Sequence, residues 1–235
     1  MTASSVPTIS RARAALSLLA LAAVAAAGFA SAAAAEERNV GDEVCLSCHE
    51  ALHEGFTAGY AKTVHAKALN EKNALAPFMR NGCEACHGPG GAHVEAGGGK
   101  GVGGLRTFDG ADPAEIAEDN RTCLKCHAGG QQAQWHASPH ASRDVGCTSC
   151  HTVMVKKSSR NLLTHAKELD TCGGCHLQQR ARQFRNAHMP VREGKLECSS
   201  CHNPHGTVAD SLLAATTIND SCYACHAEKR GPFLW

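Results

Sequence analysis

Residues Cys172 to His205 read CGGCHLQQRARQFRNAHMPVREGKLECSSCHNPH, with Cys172-x-x-Cys175-His176 opening the stretch and Cys198-x-x-Cys201-His202 near its close. C-x-x-C-H is the attachment signature of a c-type haem. Each thiol bonds to one haem side group, and the histidine after the second cysteine coordinates the iron. Two further histidines, His188 and His205, lie between and beyond the two sites, placed to serve as second axial ligands.

The motif occurs seven times: Cys45/Cys48/His49, Cys83/Cys86/His87, Cys123/Cys126/His127, Cys147/Cys150/His151, Cys172/Cys175/His176, Cys198/Cys201/His202 and Cys222/Cys225/His226. Together these use all 14 cysteines. Histidine makes up 15 of 235 residues, so seven chance histidines in these positions would be on the order of one in a billion. A disulfide framework gives no reason for a His after every second Cys. Zinc sites draw four ligands from two pairs without needing C-x-x-C-H at each. A thioredoxin-like redox pair would occur once, beside a βαβ pattern. The cofactor implied is haem c, seven times over and covalently attached.

Residues 1–35 read as a secretory signal peptide. Arg11 and Arg13 supply the positive region, Ala14 to Phe29 the apolar region, and Ala33-x-Ala35 a small-residue cleavage site before Glu36. The apolar run is short and alanine-rich for a membrane span, and no later stretch is long enough to cross a bilayer. Arg11 and Arg13 are not adjacent, so a twin-arginine route has no support. Haem attachment takes place outside the cytoplasm, so export and motif agree: a mature chain of about 200 residues, periplasmic or beyond.

Phe, Tyr and Trp number 6, 2 and 2, too few large side chains to fill an ordinary core for this length. Porphyrins would supply the missing apolar bulk, and the chain without haem should be largely unfolded. Without Arg11 and Arg13 the 23 basic residues fall to 21 against 22 acidic ones, a net charge of −1. Haem propionates make the whole more negative, and nucleic-acid binding is not indicated.

Motifs start at intervals of 38, 40, 24, 25, 26 and 24 residues. That spacing leaves room for short α-helices and irregular loops wrapped around a chain of haems, with little or no β-sheet. Each C-x-x-C-H is expected to end or occupy a short helix, placing Cys(i), Cys(i+3) and His(i+4) on one side. Asp112-Pro113-Ala114-Glu115 predicts a helix start, with N-cap, Pro first and Glu third, running into the third site. Gly97 to Gly104 (GGGKGVGG) reads as a linker or surface lid, since no Ser or Thr follows Lys100 and no strand precedes it.

Eight histidines lie outside the motifs: His53, His65, His93, His136, His140, His165, His188 and His205. A count so near two per haem argues for bis-histidine, six-coordinate, low-potential irons with no position free for substrate. His65 and His140 precede motifs, while His93 and His205 follow them closely. With His188 these are the stronger distal candidates, and His136 and His165 complete the set. Met154, in CHTVM, packs against porphyrin or ligates the fourth haem. His49-Glu50-Ala51-Leu52-His53 matches the zinc-protease pattern, but His49 belongs to the first haem and His53 is the spare histidine.

HMPVREGKLECSSCHNPHG (His188 to Gly206) and NDSCYACHAEKRGPFLW (Asn219 to Trp235) resemble the periplasmic decahaem cytochromes of the MtrA/DmsE type. The opening is similar too: CLSCHE, the Thr-x-His of His65, then CEACHGPGGAH. The resemblance spans the mature chain. It implies two pentahaem modules in tandem, bis-histidine haems in a line, and electron traffic between periplasmic or inner-membrane donors and an outer-membrane β-barrel porin. On it, residues 36–190 form one pentahaem module and 191–235 begin a second that stops early. Two departures stand out: seven motifs in place of ten, and Met154 where the family more often shows CHxxH.

The sequence therefore favours a periplasmic electron conduit, associated with the outer membrane, over an enzyme. A multihaem nitrite or hydroxylamine-type reductase needs an open iron, which the pentahaem nitrite reductases mark with Lys in place of a motif His, and all seven motifs here keep His. A third reading is a subunit of a cytochrome filament. Produced in a host that matures c-type cytochromes, the protein is expected to be red and to carry seven haems by intact mass. A colourless folded product would remove the whole reading.

Overall fold

A computed structural model describes residues 38–70, 72–185 and 189–231. Residues 1–35, expected above to be a signal peptide, and His188 lie outside the described residues. Ten short α-helices are present among these: α1 (Asp42–Leu52), α2 (Glu54–Tyr60), α3 (Val64–Ala68), α4 (Glu84–His87), α5 (Gly91–Glu95), α6 (Pro113–Leu124), α7 (Cys147–Cys150), α8 (Glu168–Gly173), α9 (Leu177–Gln183) and α10 (Ile218–Tyr223). Short 3₁₀ turns are interspersed among them, and the β-structure of the described residues is two isolated bridges, His151 to Leu163 and His202 to Leu213. None of these helices is long and apolar enough to cross a membrane.

Helices this short do not hold themselves together in water, where 12–15 residues is about the minimum. Local devices start them. Asp112 accepts the N–H groups of Ala114 and Glu115 at 2.8 and 2.9 Å, with Pro113 first in α6, as the sequence predicts. Thr63 caps α3 by accepting from Ala66, and Ser138 accepts from Ala141 in the same way. These two hydroxyl residues are the most deeply buried side chains described, each 1% exposed.

The apolar interior is correspondingly thin. Leu69 and Trp135 are the large apolar side chains buried among the described residues, whereas Leu52, Leu75, Val64 and Val208 are well exposed. One buried leucine and one tryptophan, at about 2–3 kcal/mol each, cannot offset about 1–2 kcal/mol of backbone entropy per ordered residue. A chain so built relies on an apolar group that is not protein.

The two bridges are copies of one hairpin. Thr152 N–H reaches Leu162 O and Thr164 N–H reaches Cys150 O, while Asn203 N–H reaches Leu212 O and Ala214 N–H reaches Cys201 O, all at 2.7–2.9 Å. Both carry two consecutive non-glycine residues in the left-handed region, Asn161–Leu162 and Ser211–Leu212, with φ between 49° and 59°. Such residues cost on the order of 1 kcal/mol or more each and persist where the surroundings demand them.

Chain secreted without haem attachment is expected to show no cooperative thermal transition by circular dichroism. A cooperative melt of the haem-free chain would show that protein contacts alone suffice.

Candidate haem attachment sites

All seven motifs fold into the same turn. Six have a motif-histidine N–H bonded to the carbonyl of the first cysteine four residues back, at 2.9–3.1 Å: His87, His127, His151, His176, His202 and His226. The seventh, Cys45 to His49, lies wholly within α1. An i to i+4 turn brings Cys(i), Cys(i+3) and His(i+4) to one side, which two thioethers and one iron bond to a single porphyrin require.

Three motif histidines are then aimed by their other ring nitrogen. Nδ1 of His87 meets Arg106 O at 2.6 Å, that of His151 meets Asn161 O at 2.7 Å and that of His202 meets Ser211 O at 2.9 Å. A ring that donates Nδ1–H to a carbonyl keeps Nε2 free to ligate, with its basicity raised. The left-handed residues of the hairpins thus hold the carbonyls that orient the fourth and sixth sites. Arg106 is itself held by Glu118 and Asp119 of α6 at 2.9 and 3.3 Å.

Adjacent motifs are clasped in pairs. Asp42, three residues before Cys45, accepts the N–H of Cys83 at 2.8 Å. Asn120, three before Cys123, accepts the N–H of Cys147 at 2.7 Å. Glu168, four before Cys172, accepts both the N–H and hydroxyl of Ser199 at 2.6 and 2.7 Å. Each clasp joins an odd motif to the next even one. Buried Glu84 adds a further tie, accepting N–H bonds from Val40, Gly41 and Gly90.

Thiol chemistry follows that pairing. Cys45 is held below the usual thiol range by its hydrogen bond with Cys83, and Cys83 is held above it by the same bond. Cys147 is likewise lowered and Cys123 raised, and Cys198 lowered and Cys172 raised. The second cysteines meet the next pair instead. Burial pushes Cys86, Cys150 and Cys201 up, with added repulsion from Cys123 and Cys126, from Cys175, and from Cys222 and Cys225. First cysteines join sites 1–2, 3–4 and 5–6; second cysteines join 2–3, 4–5 and 6–7. The attachment sites therefore follow one another in chain order. Glu168 sits with Cys172 and Cys198 as a trio of ligand-type atoms within 4.8 Å, and both sulfurs belong to C-x-x-C-H motifs.

Cys48 shares the turn of α1 and is exposed, as Cys126, Cys175 and Cys225 are, with the Ser47 hydroxyl 3.8 Å from its sulfur. Cys126, Cys175 and Cys225, the second cysteines of the third, fifth and seventh motifs, each face the even motif before them.

Distal candidates divide sharply. An iron bonded at about 2 Å to two imidazoles, each nitrogen about 1.1 Å from its ring centre, sets ring centroids about 6.2 Å apart. Four pairs have that separation: His49 with His93 (6.2 Å), His65 with His127 (5.9 Å), His140 with His176 (6.0 Å) and His151 with His205 (6.0 Å). Nδ1 of His93 meets Val102 O at 3.1 Å, and that of His140 meets Pro204 O at 2.8 Å. His65 Nδ1 is buried without a hydrogen-bond partner. Burial holds His49, His65 and His205 below the usual imidazole range, helped by neighbouring imidazoles, which keeps them in the neutral form that binds metal. These features fit haem.

His53 stacks on His49 at 5.3 Å, but from the end of the same helix, where no porphyrin fits between the rings. His136 and His165 stand exposed, and the four motif-histidine rings at the iron-bridging separation are faced by other histidines. The glycine stretch after α5 differs from a free linker. Val102 orients His93, and a Cβ on Gly103, whose φ is +71°, would strike the His93 backbone. The clasp residues and the hairpin carbonyls escaped the sequence reading. The recurrent Asp or Asn three residues before Cys45 and Cys123 was the available signal.

Turns, clasps and paired imidazoles together define a c-type cytochrome carrying several haems. Residues 188–231 match the family described as Doubled CXXCH motif, and residues 83–172 match Cytochrome c-type protein NrfB-like. The chain is 36% identical over 195 residues to Multiheme cytochrome MtrA of Shewanella baltica, covering 83% of this chain and 55% of that protein. It is 31% identical over 161 residues to Cytochrome c-type protein NrfB of Escherichia coli O6:H1, covering 66% of this chain and 76% of that one. It is also 26% identical over 181 residues to C-type polyheme cytochrome OmcC of Geobacter sulfurreducens, of which it covers 21%. The chain belongs to the multihaem c-type cytochromes, binds haem c covalently, and spans about half the length of the MtrA relative.

Gly103→Ala is expected to displace His93 and convert one low-spin haem to high spin in the ferric visible spectrum. Gly55→Ala, where a Cβ meets nothing within 4 Å, should leave the spectrum unchanged.

Proposed function

We propose that the chain is a periplasmic electron carrier that passes electrons along seven haems held in sequence order, as part of a conduit toward the outer membrane. The zigzag of alternating first-cysteine and second-cysteine junctions carries this reading, because it leaves no gap between attachment sites from the first motif to the seventh. Haem supplies the redox chemistry. Each motif offers its two thiols to one haem, Cys45 with the exposed Cys48 at the first site included. The polypeptide fixes neighbouring sites by the Asp42, Asn120 and Glu168 clasps, and Nδ1 hydrogen bonds hold the imidazoles so that oxidation and reduction need little rearrangement.

The pairs His49–His93, His127–His65, His151–His205 and His176–His140 are the proposed axial sets of haems 1, 3, 4 and 5. His188 precedes the sixth motif as His65 and His140 precede the second and fourth, and it is assigned to the haem on His226. His53, His136 and His165 are left as surface histidines. With histidine on both sides of most irons, catalysis at an open metal is the weaker reading. The likeness to MtrA supports a barrel porin partner and periplasmic donors, and a five-haem unit over 36–190 continued by 191–235. The secretory leader over residues 1–35 supports the periplasm.

Protein-film voltammetry tests this directly. A reversible envelope integrating to seven electrons, unchanged by nitrite or hydroxylamine, is expected, whereas a catalytic wave would make the protein a reductase. His188→Ala should turn one low-spin haem high-spin. Ring planes add a finer test: His49–His93 and His151–His205 lie at 22° and 16°, but His65–His127 and His140–His176 at 66° and 76°. Low-temperature electron paramagnetic resonance of the ferric protein should accordingly separate ordinary rhombic low-spin centres from highly anisotropic ones. A single class would overturn the axial pairing.

A further inference from the structure

The second attachment site has no imidazole opposite its histidine among the described residues. His87 faces the edge of the Phe108 ring at 5.3 Å. Residues 58–65, AGYAKTVH, and 133–140, AQWHASPH, align without a gap. Tyr60 corresponds to Trp135, buried Thr63 to buried Ser138, and His65 to His140, and each stretch leads into an even motif, the second and the fourth. The histidines ending them play the same part, since His65 faces His127 of the third motif and His140 faces His176 of the fifth.

A second repeat runs downstream. His205 stands three residues after His202, and Met154 stands three residues after His151, inside the duplicated hairpins described above. His205 lies beside Trp135, ring centroids 6.3 Å apart, and the following Gly206 closes on the Gln134 carbonyl. From that position its ring faces His151 of the motif that Trp135 precedes. Met154 docks on the equivalent place one repeat earlier: its carbonyl lies 2.6 Å from where a Cβ on Gly59 would be. Gly59 and Tyr60 are the counterparts of Gln134 and Trp135, and Tyr60 is close enough to Cys83 and Cys86 for those thiols to add to the upward push of burial on its hydroxyl. Met154 itself is half-buried.

We propose that Met154 is the sixth ligand of the haem attached at Cys83, Cys86 and His87, making it a His/Met centre beside the bis-histidine sets proposed for haems 1, 3, 4, 5 and 7. The sequence reading associated Met154 with the fourth haem because the two are adjacent in the chain. The repeat moves it to the second, while His205 takes the fourth. A thioether withdraws the bias toward ferric iron that a second imidazole supplies, so this haem holds its electron more tightly than its neighbours. One position in from the first-motif end, it would retain one electron when the rest of the line has discharged. The proposal rests on the axial pairing proposed above.

Optical and redox measurements on the complete matured protein decide it. The ferric wild type should show the weak far-red band of thioether sulfur bound to haem iron, and one redox transition should stand above the rest. Met154→His should abolish the band and return that transition to the low group with no high-spin iron added to that of the wild type. Met154→Leu should abolish the band and add one high-spin haem to the wild-type count. Cys83→Ala/Cys86→Ala, which removes the second haem, should lose the band, while Cys147→Ala/Cys150→Ala should keep it. A wild type without the band, a spectrally silent Met154→Leu, or a band lost with the fourth haem would overturn the assignment. Were the wider bis-histidine reading at fault, more high-spin iron than the sixth haem alone supplies would be present in the wild type and in Met154→His alike. That outcome separates failure of the underlying reading from failure of this one.

Discussion

The covalent tether sets every other requirement of this molecule. Two thioethers and one iron bond fix a porphyrin to five consecutive residues, so each site needs a single helical turn and little else. That is why most helices here can be as short as four to seven residues, with α1 and α6 at 11 and 12, when such lengths fail in isolation. It is also why a chain with so few aromatic residues can fold at all: the apolar surface arrives already anchored, and the polypeptide needs only to turn around it. The hydrogen bond from the motif histidine back to the first cysteine carbonyl recurs with a spread of only 0.2 Å across six sites. Such uniformity reflects one chemical constraint imposed repeatedly.

Tethering alone would give beads on a string. Pairwise clasps convert the string into a line with fixed spacing. Asp42, Asn120 and Glu168 each reach out of one motif to a backbone N–H of the next, using acceptors that are strong because they are charged or part-buried. Longer ties then fold the line back on itself. His140 meets Pro204 O, and Asn203 Nδ2 donates to Gln131 O at 2.9 Å, across more than sixty residues. The sixth motif is thereby fastened to the segment between the third and fourth.

Much of this was legible in the chain. C-x-x-C-H dictates the turn, Asp112-Pro113 dictates the start of α6, and the surplus of histidines announces axial ligands. Which histidine faces which motif ring was not legible, because the ring facing His151 lies 54 residues downstream at His205 and the one facing His127 lies 62 upstream at His65. Pairings of that span depend on how the sites stack, and stacking depends on side chains such as Asn120 that look like ordinary helix residues. The glycine stretch misled for a related reason. Composition suggested freedom, whereas positive φ at Gly97, Gly98, Gly99, Gly101, Gly103 and Gly104 is what lets the backbone double back to place Val102 O on His93.

Duplication explains both the regularity and its exception. The fourth and sixth sites share hairpin, left-handed dipeptide and orienting carbonyl, so the residue three beyond each motif histidine is delivered to an equivalent place. At one of these stands His205, at the other Met154. Identical scaffolding with one changed ligand atom is the arrangement by which a protein alters one haem's potential while leaving the neighbouring geometry intact, since nitrogen and thioether sulfur differ in how they stabilise ferric iron. A line of equal potentials conducts either way with equal ease, whereas one site held higher retains charge beside its neighbours. The departure from histidine thus lies where the scaffold can absorb it, in a side chain that no clasp or hairpin bond depends on.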